Sequence, residues 1–432
     1  MAWALYDFAN SGYTTVVLTT VFSAYFVAQV AQGAPWATFA LTCALSASYA
    51  LAMVVLPPLG AWADQHAGKR HVLRVSTLAC VALTTLLATI GPGDIFAGLV
   101  VLALSNLAYC IGETVIAAFL PDLARPQAFG RVSGWGWGVG YLGGMLTLGL
   151  GLGWVAYATA LGWHPPQFVP GVMLITACIF LAAALPALFF LPEKNHPSRR
   201  PNGVGSSATY SAGGSVQPAV RSAPSVVACT LRSVLVQFPD FRWLLLCGAF
   251  YHAGISVVIT LSAVYATQAM GFDMTQTMLL VFVVNITAAV GALVFGHVQD
   301  TFGHTRALGG TLVGWVLMIV LAVMATGPAM FWMAAALAGL CMGTSQSAGR
   351  AMVAALAPNG HAARFYALWS WAVRLAAIVG PLTYGAVTWL TVGNHRLALL
   401  VTGVFFLAAL LTLRCVDFAR GVRVRDTNEI GA

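Results

Sequence analysis

Five ionisable side chains, Asp7, Glu113, His252, Arg350 and Arg374, stand inside stretches of the chain that are otherwise apolar and long enough to cross a bilayer. An ionisable group at the centre of a span costs about 2.5–3.5 kcal/mol on insertion scales, so each calls for a partner or a task. A buried carboxyl such as Asp7 or Glu113 suits a proton carrier, because a low dielectric raises its pKa. An imidazole, here His252, titrates near neutral pH. A deep guanidinium, Arg350 or Arg374, suits an anionic group such as a substrate carboxylate, or a proton-linked acid.

Polar neighbours surround each of these groups. Asp7, Asn10 and Thr14 share one face of the first span, and Asn106, Tyr109 and Glu113 form a stripe at i, i+3 and i+7. Gln346 and Arg350 lie at i,i+4 with Ser347 beside them, and His252 and Ser256 at i,i+4. Structural readings stand next to the functional ones. Asp7, about 10 Å from the end of its span by helical rise, also suits an interfacial cap or an interspan hydrogen bond. Glu113 lies within reach of Arg350, and a direct pair there would cost about 3–5 kcal/mol to break. Arg374 equally suits an ion pair with Glu113 or Asp7. A lone histidine in an apolar helix is more often a satisfied hydrogen-bonding residue. No histidines show metal-ligand spacing, and no metal or cofactor is expected.

The elements that must position these residues are membrane helices. Only 7% of the 432 residues are charged and 59% are hydrophobic, against about 25% charged in a soluble domain. So few charges cannot cover a soluble surface, and the bilayer is the expected solvent. A span needs about 20 mainly apolar residues. Twelve are predicted: 3–31, 36–62, 72–91, 94–119, 131–155, 169–191, 241–270, 273–298, 306–326, 328–356, 365–390 and 395–418. The chain is therefore expected to be an all-α membrane protein of twelve transmembrane helices in two six-helix pseudo-symmetric halves. The halves are 1–191 and 241–432, the second ending in a short tail. Residues 192–240, rich in Pro, Ser, Gly and Arg, read as a flexible linker.

The net charge of +8 resides in short loops and tails, not on a polar face, so nucleic acid is not an expected partner. Placing the N-terminus in the cytoplasm puts seventeen Lys and Arg on that side, with Arg396 alone opposite and Arg350 and Arg374 within spans. By the positive-inside rule both termini and the linker are cytoplasmic, in a bacterial inner membrane. Eight scattered cysteines read as small buried hydrophobes. The start lacks a signal peptide. Met1 stands almost against the first span, so a few upstream residues are expected to be missing.

The halves repeat. Gly60, Asp64 and Arg70 follow span 2, and Gly296, Asp300 and Arg306 follow span 8 at the same offsets. Ala118-Phe-Leu-Pro121 is echoed by Ala355-Leu-Ala-Pro358, and Trp135-Gly-Trp137 in span 5 by Trp369-Ser-Trp371 in span 11. Arg374 falls where span 5 has Gly140, so it is no product of the repeat. Parallel repeats form a central cavity that can open to either side by rocking. Gly136, Gly140 and Gly144 read as a helix-packing face, and Trp135 and Trp137 as an interfacial belt.

The paired Gly-x-x-x-Asp loops, with Gly68 and Gly303 further along, resemble the signature loop of the major facilitator superfamily. The first carries one extra residue before Gly68. Further segments resemble one branch, the vacuole-effluxer-like (autophagy-related amino-acid exporter) family and its bacterial relatives. They are Trp3-Ala-Leu-Tyr6-Asp7-Phe-Ala-Asn10-Ser11-Gly12-Tyr13, Phe119-Leu-Pro121-Asp122, the run from Arg131 to Gly144, Gly343-Thr-Ser-Gln346-Ser347-Ala-Gly-Arg350 and Gly380-Pro381. The resemblance implies that spans 1, 4, 7 and 10 line the cavity and that amino acids or similar zwitterions are the cargo. It also implies that the two loops act as a gate favouring the state closed to the cytoplasm. Asp64 would face the positive N-terminal end of span 11 near Phe365, and Asp300 that of span 5 near Arg131. Arg70 and Arg306 would tie the loops to acids or lipid phosphates.

With no Walker-type phosphate loop, the expected function is secondary active transport of a small solute by a chain expected to be monomeric, with Asp7, Glu113 and His252 as the candidates for proton coupling. A receptor or scaffold that binds a ligand without moving it is the alternative from another class. A membrane-embedded enzyme is not expected, since no paired carboxylates or Ser-His-Asp arrangement is found.

Overall fold

A computed structural model describes residues 1–192, 234–272 and 274–430. Twelve of its helices are long and apolar enough to span a membrane. They are α1 (Ala2–Val30), α2 (Ala37–Gln65), α3 (Lys69–Leu87), α4 (Ile95–Ala117), α5 (Phe129–Ala160), α6 (Pro165–Phe190), α7 (Pro239–Met270), α8 (Met274–Phe302), α9 (His304–Met324), α10 (Pro328–Leu356), α11 (Ala362–Leu390) and α12 (His395–Leu413). Among the described residues there are no strands. Leu142, Leu146 and Leu150 recur every fourth residue of α5 and are half exposed. Such stripes are the surface a bilayer covers.

Near Thr14 α1 loosens from α-helix into π-helical turns, over Thr14–Thr20 and again over Phe26–Val30. Hydroxyls of Thr14, Thr19, Thr20 and Ser23 donate back to carbonyls of the preceding turns, which offsets the irregular backbone bonding. The opening motif fastens this helix in place. Trp3 Nε1 donates to the Ile116 carbonyl at 2.7 Å, the Tyr6 hydroxyl pairs with Thr77 at 2.8 Å, and Tyr13 with Ser105 at 2.6 Å.

Two boundaries differ from the sequence expectation. Of the anticipated linker, residues 193–233 lie outside the described residues; 234–237 form a short helical turn and α7 already begins at Pro239. The anticipated short tail is a helix, α13 (Phe418–Ile430). It docks because Asp240, buried at the start of α7, accepts from the backbone N–H of Asp417 and from both Nε and Nη2 of Arg420. Hydrogen bonding to Asp240 holds the Arg420 guanidinium above its ordinary pKa. Cys43, Cys178 and Cys415 are exposed, so not every cysteine is the buried hydrophobe expected.

The halves meet through α5 against α8 and α2 against α11. Glycines permit the approach: a Cβ on Gly296 would stand 2.7 Å from the Gly130 carbonyl, and one on Gly60 2.7 Å from that of Ala363. Both contacts lie at the end of the bundle that carries the termini.

Candidate functional site

The joint between the halves is polar and built in layers, starting at the termini side. Asp64, at the end of α2, accepts from the backbone N–H groups of Ala363 and Arg364 at 3.0 and 2.8 Å. Asp300, at the end of α8, accepts from those of Gly130 and Arg131 at 2.8 and 2.9 Å. Each carboxylate thus occupies the N-terminal turn of a helix in the opposite half, where free N–H groups and the helix dipole favour negative charge. The extra residue of the first loop changes its geometry. There Ala67 takes the left-handed conformation at φ 48°, whereas Gly303 takes it at φ 93° in the second loop. Gly68 instead lies against the Trp62 ring. Arg70 donates to the Leu191 carbonyl of its own half, and neighbouring Lys69 pairs with Asp122 at 2.8 Å.

Deeper in, Arg350 of α10 reaches across to α1 and α5. Its Nη1 stands 2.8 Å from Asp7 Oδ2, Nε donates to the Ser133 hydroxyl at 3.1 Å and Nη2 to the Ser133 carbonyl at 3.0 Å. The guanidinium is stacked between Trp3 and Trp137, 4.4 and 5.3 Å from the ring centres. Desolvated contacts of this kind contribute about 2 kcal/mol each. Ser133 also donates to the Ser347 carbonyl at 2.8 Å, so one serine couples both strands of the joint. Trp137 is therefore a guanidinium platform and not the interfacial anchor expected; Trp135, 45% exposed, keeps that reading.

The innermost layer lies about 18 Å along α11 by helical rise. Arg374 pairs with Glu113 of α4, and its guanidinium lies 5.4 Å from the Tyr49 ring centre and 5.9 Å from that of Tyr109. The Tyr109 hydroxyl donates to Glu113 Oε1 at 2.9 Å. Tyr141 of α5 donates to Gln346 of α10 in the same region. Of the pairings the sequence left open, Glu113 with Arg350 does not form and Glu113 with Arg374 does, while Arg350 turns to Asp7. The reason is that Asp7 presents a carboxylate across α5 where Gly136 and Gly140 leave room. A Cβ on Gly136 would come within 2.5 Å of Arg350 Nη2 and 2.6 Å of the Trp3 ring.

Exposure separates the two pairs. The side chains of Asp7, Arg350 and Arg374 are 10% exposed or less, whereas that of Glu113 is 32% exposed. Asn10, 5% exposed, has no partner for either amide atom among the described residues, and neither has Arg374 Nε. Of the other sequence candidates, Asn106 turns to α2 and donates to Ser48 at 2.6 Å. His252 is buried against Tyr251 and the edge of Trp369, with ring centres 4.5 and 5.7 Å away. Gly303 and Arg306 border the termini-side surface. Missed in the sequence were Trp3, Tyr49, Ser133, Trp137 and Tyr141 as partners. A signal existed: Ser133, Trp137 and Tyr141 recur at i+4 on one face of α5.

Two six-helix halves, locked at one end around buried cross-half ion pairs, define the architecture of a major facilitator transporter. Solved structures agree on the fold. The human organic anion transporter MFSD10 (TETRAN) superposes with a TM-score of 0.73 at 17% identity, over 95% of this chain and 98% of that one. The proton:xylose symporter XylE does so with 0.72 at 15% identity, over 96% and 94%. By sequence, the uncharacterized MFS-type transporter YxiO of Bacillus subtilis (strain 168) is 24% identical over 96% of this chain and 94% of its own. The family model described as vacuole effluxer Atg22 like matches residues 36–425. The chain belongs to that family, and is a multi-pass membrane protein whose fold serves secondary transport of small solutes.

Proposed function

We propose that the protein carries a small zwitterion, an amino acid or a close relative, out of the cell by alternating access, and that the cargo binds by exchanging into the Glu113–Arg374 pair. The observation that carries this reading is the exposure of that pair. It sits at the innermost edge of the joint with its carboxylate one-third exposed, and the Nε of its guanidinium has no partner among the described residues. A cargo carboxylate suits Arg374 and a cargo ammonium suits Glu113, so binding replaces one ion pair with two and leaves neither buried charge alone. The organic anion transported by the human neighbour and the proton used by the symporter neighbour are in keeping with this chemistry. Protonation of Glu113 would free Arg374 for the cargo and couple flux to protons; Asp7 and His252 are the alternative proton carriers.

In this reading the joined end faces the cytoplasm, since the basic loops and both termini lie there. Asp64 and Asp300 then hold the transporter closed to the cytoplasm and open outward, with Arg70 bracing the first loop. The monomer is the working unit, and the stretch between α6 and α7 divides two rocking bodies.

Counterflow of labelled amino acids in proteoliposomes tests the proposal. Wild type is expected to exchange at least one amino acid class. Glu113→Gln and Arg374→Ala are expected to lose about tenfold or more, a loss of the order of one charge-assisted contact. Ligand binding with no counterflow would make the protein a receptor. Exchange that ignores an imposed pH gradient would remove the proton from the scheme.

A further inference from the structure

One corner of the repeated half is filled in the first half and open in the second. In the first, two arginines of α3 reach the end of α6: Arg70 donates to the Leu191 carbonyl, and Arg74 through Nε and Nη2 to that of Leu188, at 3.2 and 3.1 Å. The spacing that matches Asp64 to Asp300 and Arg70 to Arg306 places Gly310 where Arg74 stands. A Cβ on Gly310 would find no atom within 4 Å. Arg306, the mate of Arg70, makes no hydrogen bond or ion pair among the described residues. Neither does Arg414, at the end of α12. Both are exposed and line a groove of about 730 Å³ between the α8–α9 loop and the start of α13. The one acid of the lining, Asp417, caps α13 by accepting the Arg420 N–H at 2.9 Å. Arg420 itself is held by Asp240.

We infer that this groove binds the headgroup of an anionic phospholipid. Two guanidiniums without protein partners present the forked donors that grip a phosphodiester from two sides. The surroundings favour a lipid over a free anion. Phe302 at the rim is 65% exposed. Along the helices that rise from the groove, Val313 and Leu317 of α9 and Leu407 and Leu411 of α12 are exposed as well, an apolar track for acyl chains. The occupied groove braces Gly303, three residues from the Asp300 carboxylate that holds α5, so the lipid steadies the joint from outside the cargo site.

Native mass spectrometry of the purified full chain, titrated with phosphatidylglycerol, phosphatidylcholine, glycerol 1-phosphate or inorganic phosphate, tests the inference. Wild type is expected to retain phosphatidylglycerol over phosphatidylcholine and to show no competition from either small phosphate. Retention is expected to fall about tenfold in Arg306→Ala/Arg414→Ala, which removes two charge-assisted contacts. Gly310→Arg, which fills the corner as Arg74 does in the other half while adding positive charge, is expected to lower it too. Equal retention by wild type and both variants, or tighter binding in Gly310→Arg through charge alone, overturns the pocket. Displacement of phosphatidylglycerol by inorganic phosphate overturns the lipid as its occupant.

Discussion

Arg350 is held by a carboxylate, a hydroxyl, a backbone carbonyl and two indole rings drawn from α1 and α5. Such a site tolerates the loss of the whole charge pair better than the loss of one member. Asp7→Asn is therefore expected to lower stability by about 3–5 kcal/mol, because the guanidinium stays buried without its counter-charge. Asp7→Asn with Arg350→Gln is expected to recover more than half of that, as read by thermal unfolding in detergent. A double variant as unstable as the single one would mean that the arginine is held by its rings and Ser133 alone. Gly136 tests the same site through volume. Gly136→Ala would push a methyl into Arg350 and Trp3, for a loss of about 1–3 kcal/mol, whereas Gly153→Ala, with open space at its Cβ, should be near neutral. Equal melting shifts for the two would contradict the packing described. The ionisable residues of the site were legible in the sequence because charge in an apolar span is conspicuous. Their pairing was legible in part: Arg374 with Glu113 was one of the pairs the sequence offered, but so was Glu113 with Arg350, and only the glycine gap on α5 shows why Asp7 takes that arginine.

At the scale of elements, the joint rests on two carboxylates set into helix N-termini. Their positions were legible, since Asp64 and Asp300 recur at one offset in both halves and a helix start attracts an anion. The turn geometry was not, because the inserted residue of the first loop moves the left-handed position from Gly68 to Ala67. The tail helix was hidden for another reason. Its sequence is too polar to read as a span, and it is fixed by the buried acid Asp240 and by Arg425, which donates to the Ala355 carbonyl of α10. Asp64→Asn and Asp300→Asn each keep an acceptor and lose the charge, so each is expected to weaken the closed end by about 0.3–1 kcal/mol. The effects should add in the double variant, since the two sites share no partner. A cysteine in place of Ser347, which is buried between α5 and α10, reports this: its alkylation rate from the termini side should rise severalfold in the double variant. An unchanged rate would reduce both acids to topological markers. Gly303→Ala is expected to cost about 1 kcal/mol through its φ of 93°. Gly68→Ala has no such strain and is resisted only by the Trp62 ring.

For the whole molecule, twelve spans in two halves follow from hydropathy and an internal repeat, which is why the architecture was the most legible feature. What hydropathy cannot encode is the state. All the hydrogen bonds and ion pairs described between the halves run from the Asp64 and Asp300 contacts inward to Glu113 and Arg374. A transporter must exchange that joint for one at the opposite end. The most direct test is a pair of spin-label distances on the purified chain in nanodiscs. Labels at His66 and His361 span the joined end, and labels at Phe39 and Leu390, both exposed, span the other. The account predicts that Asp64→Asn/Asp300→Asn, or saturating cargo, lengthens the first distance and shortens the second together. Two distances that never move, or that move independently of one another, would contradict it.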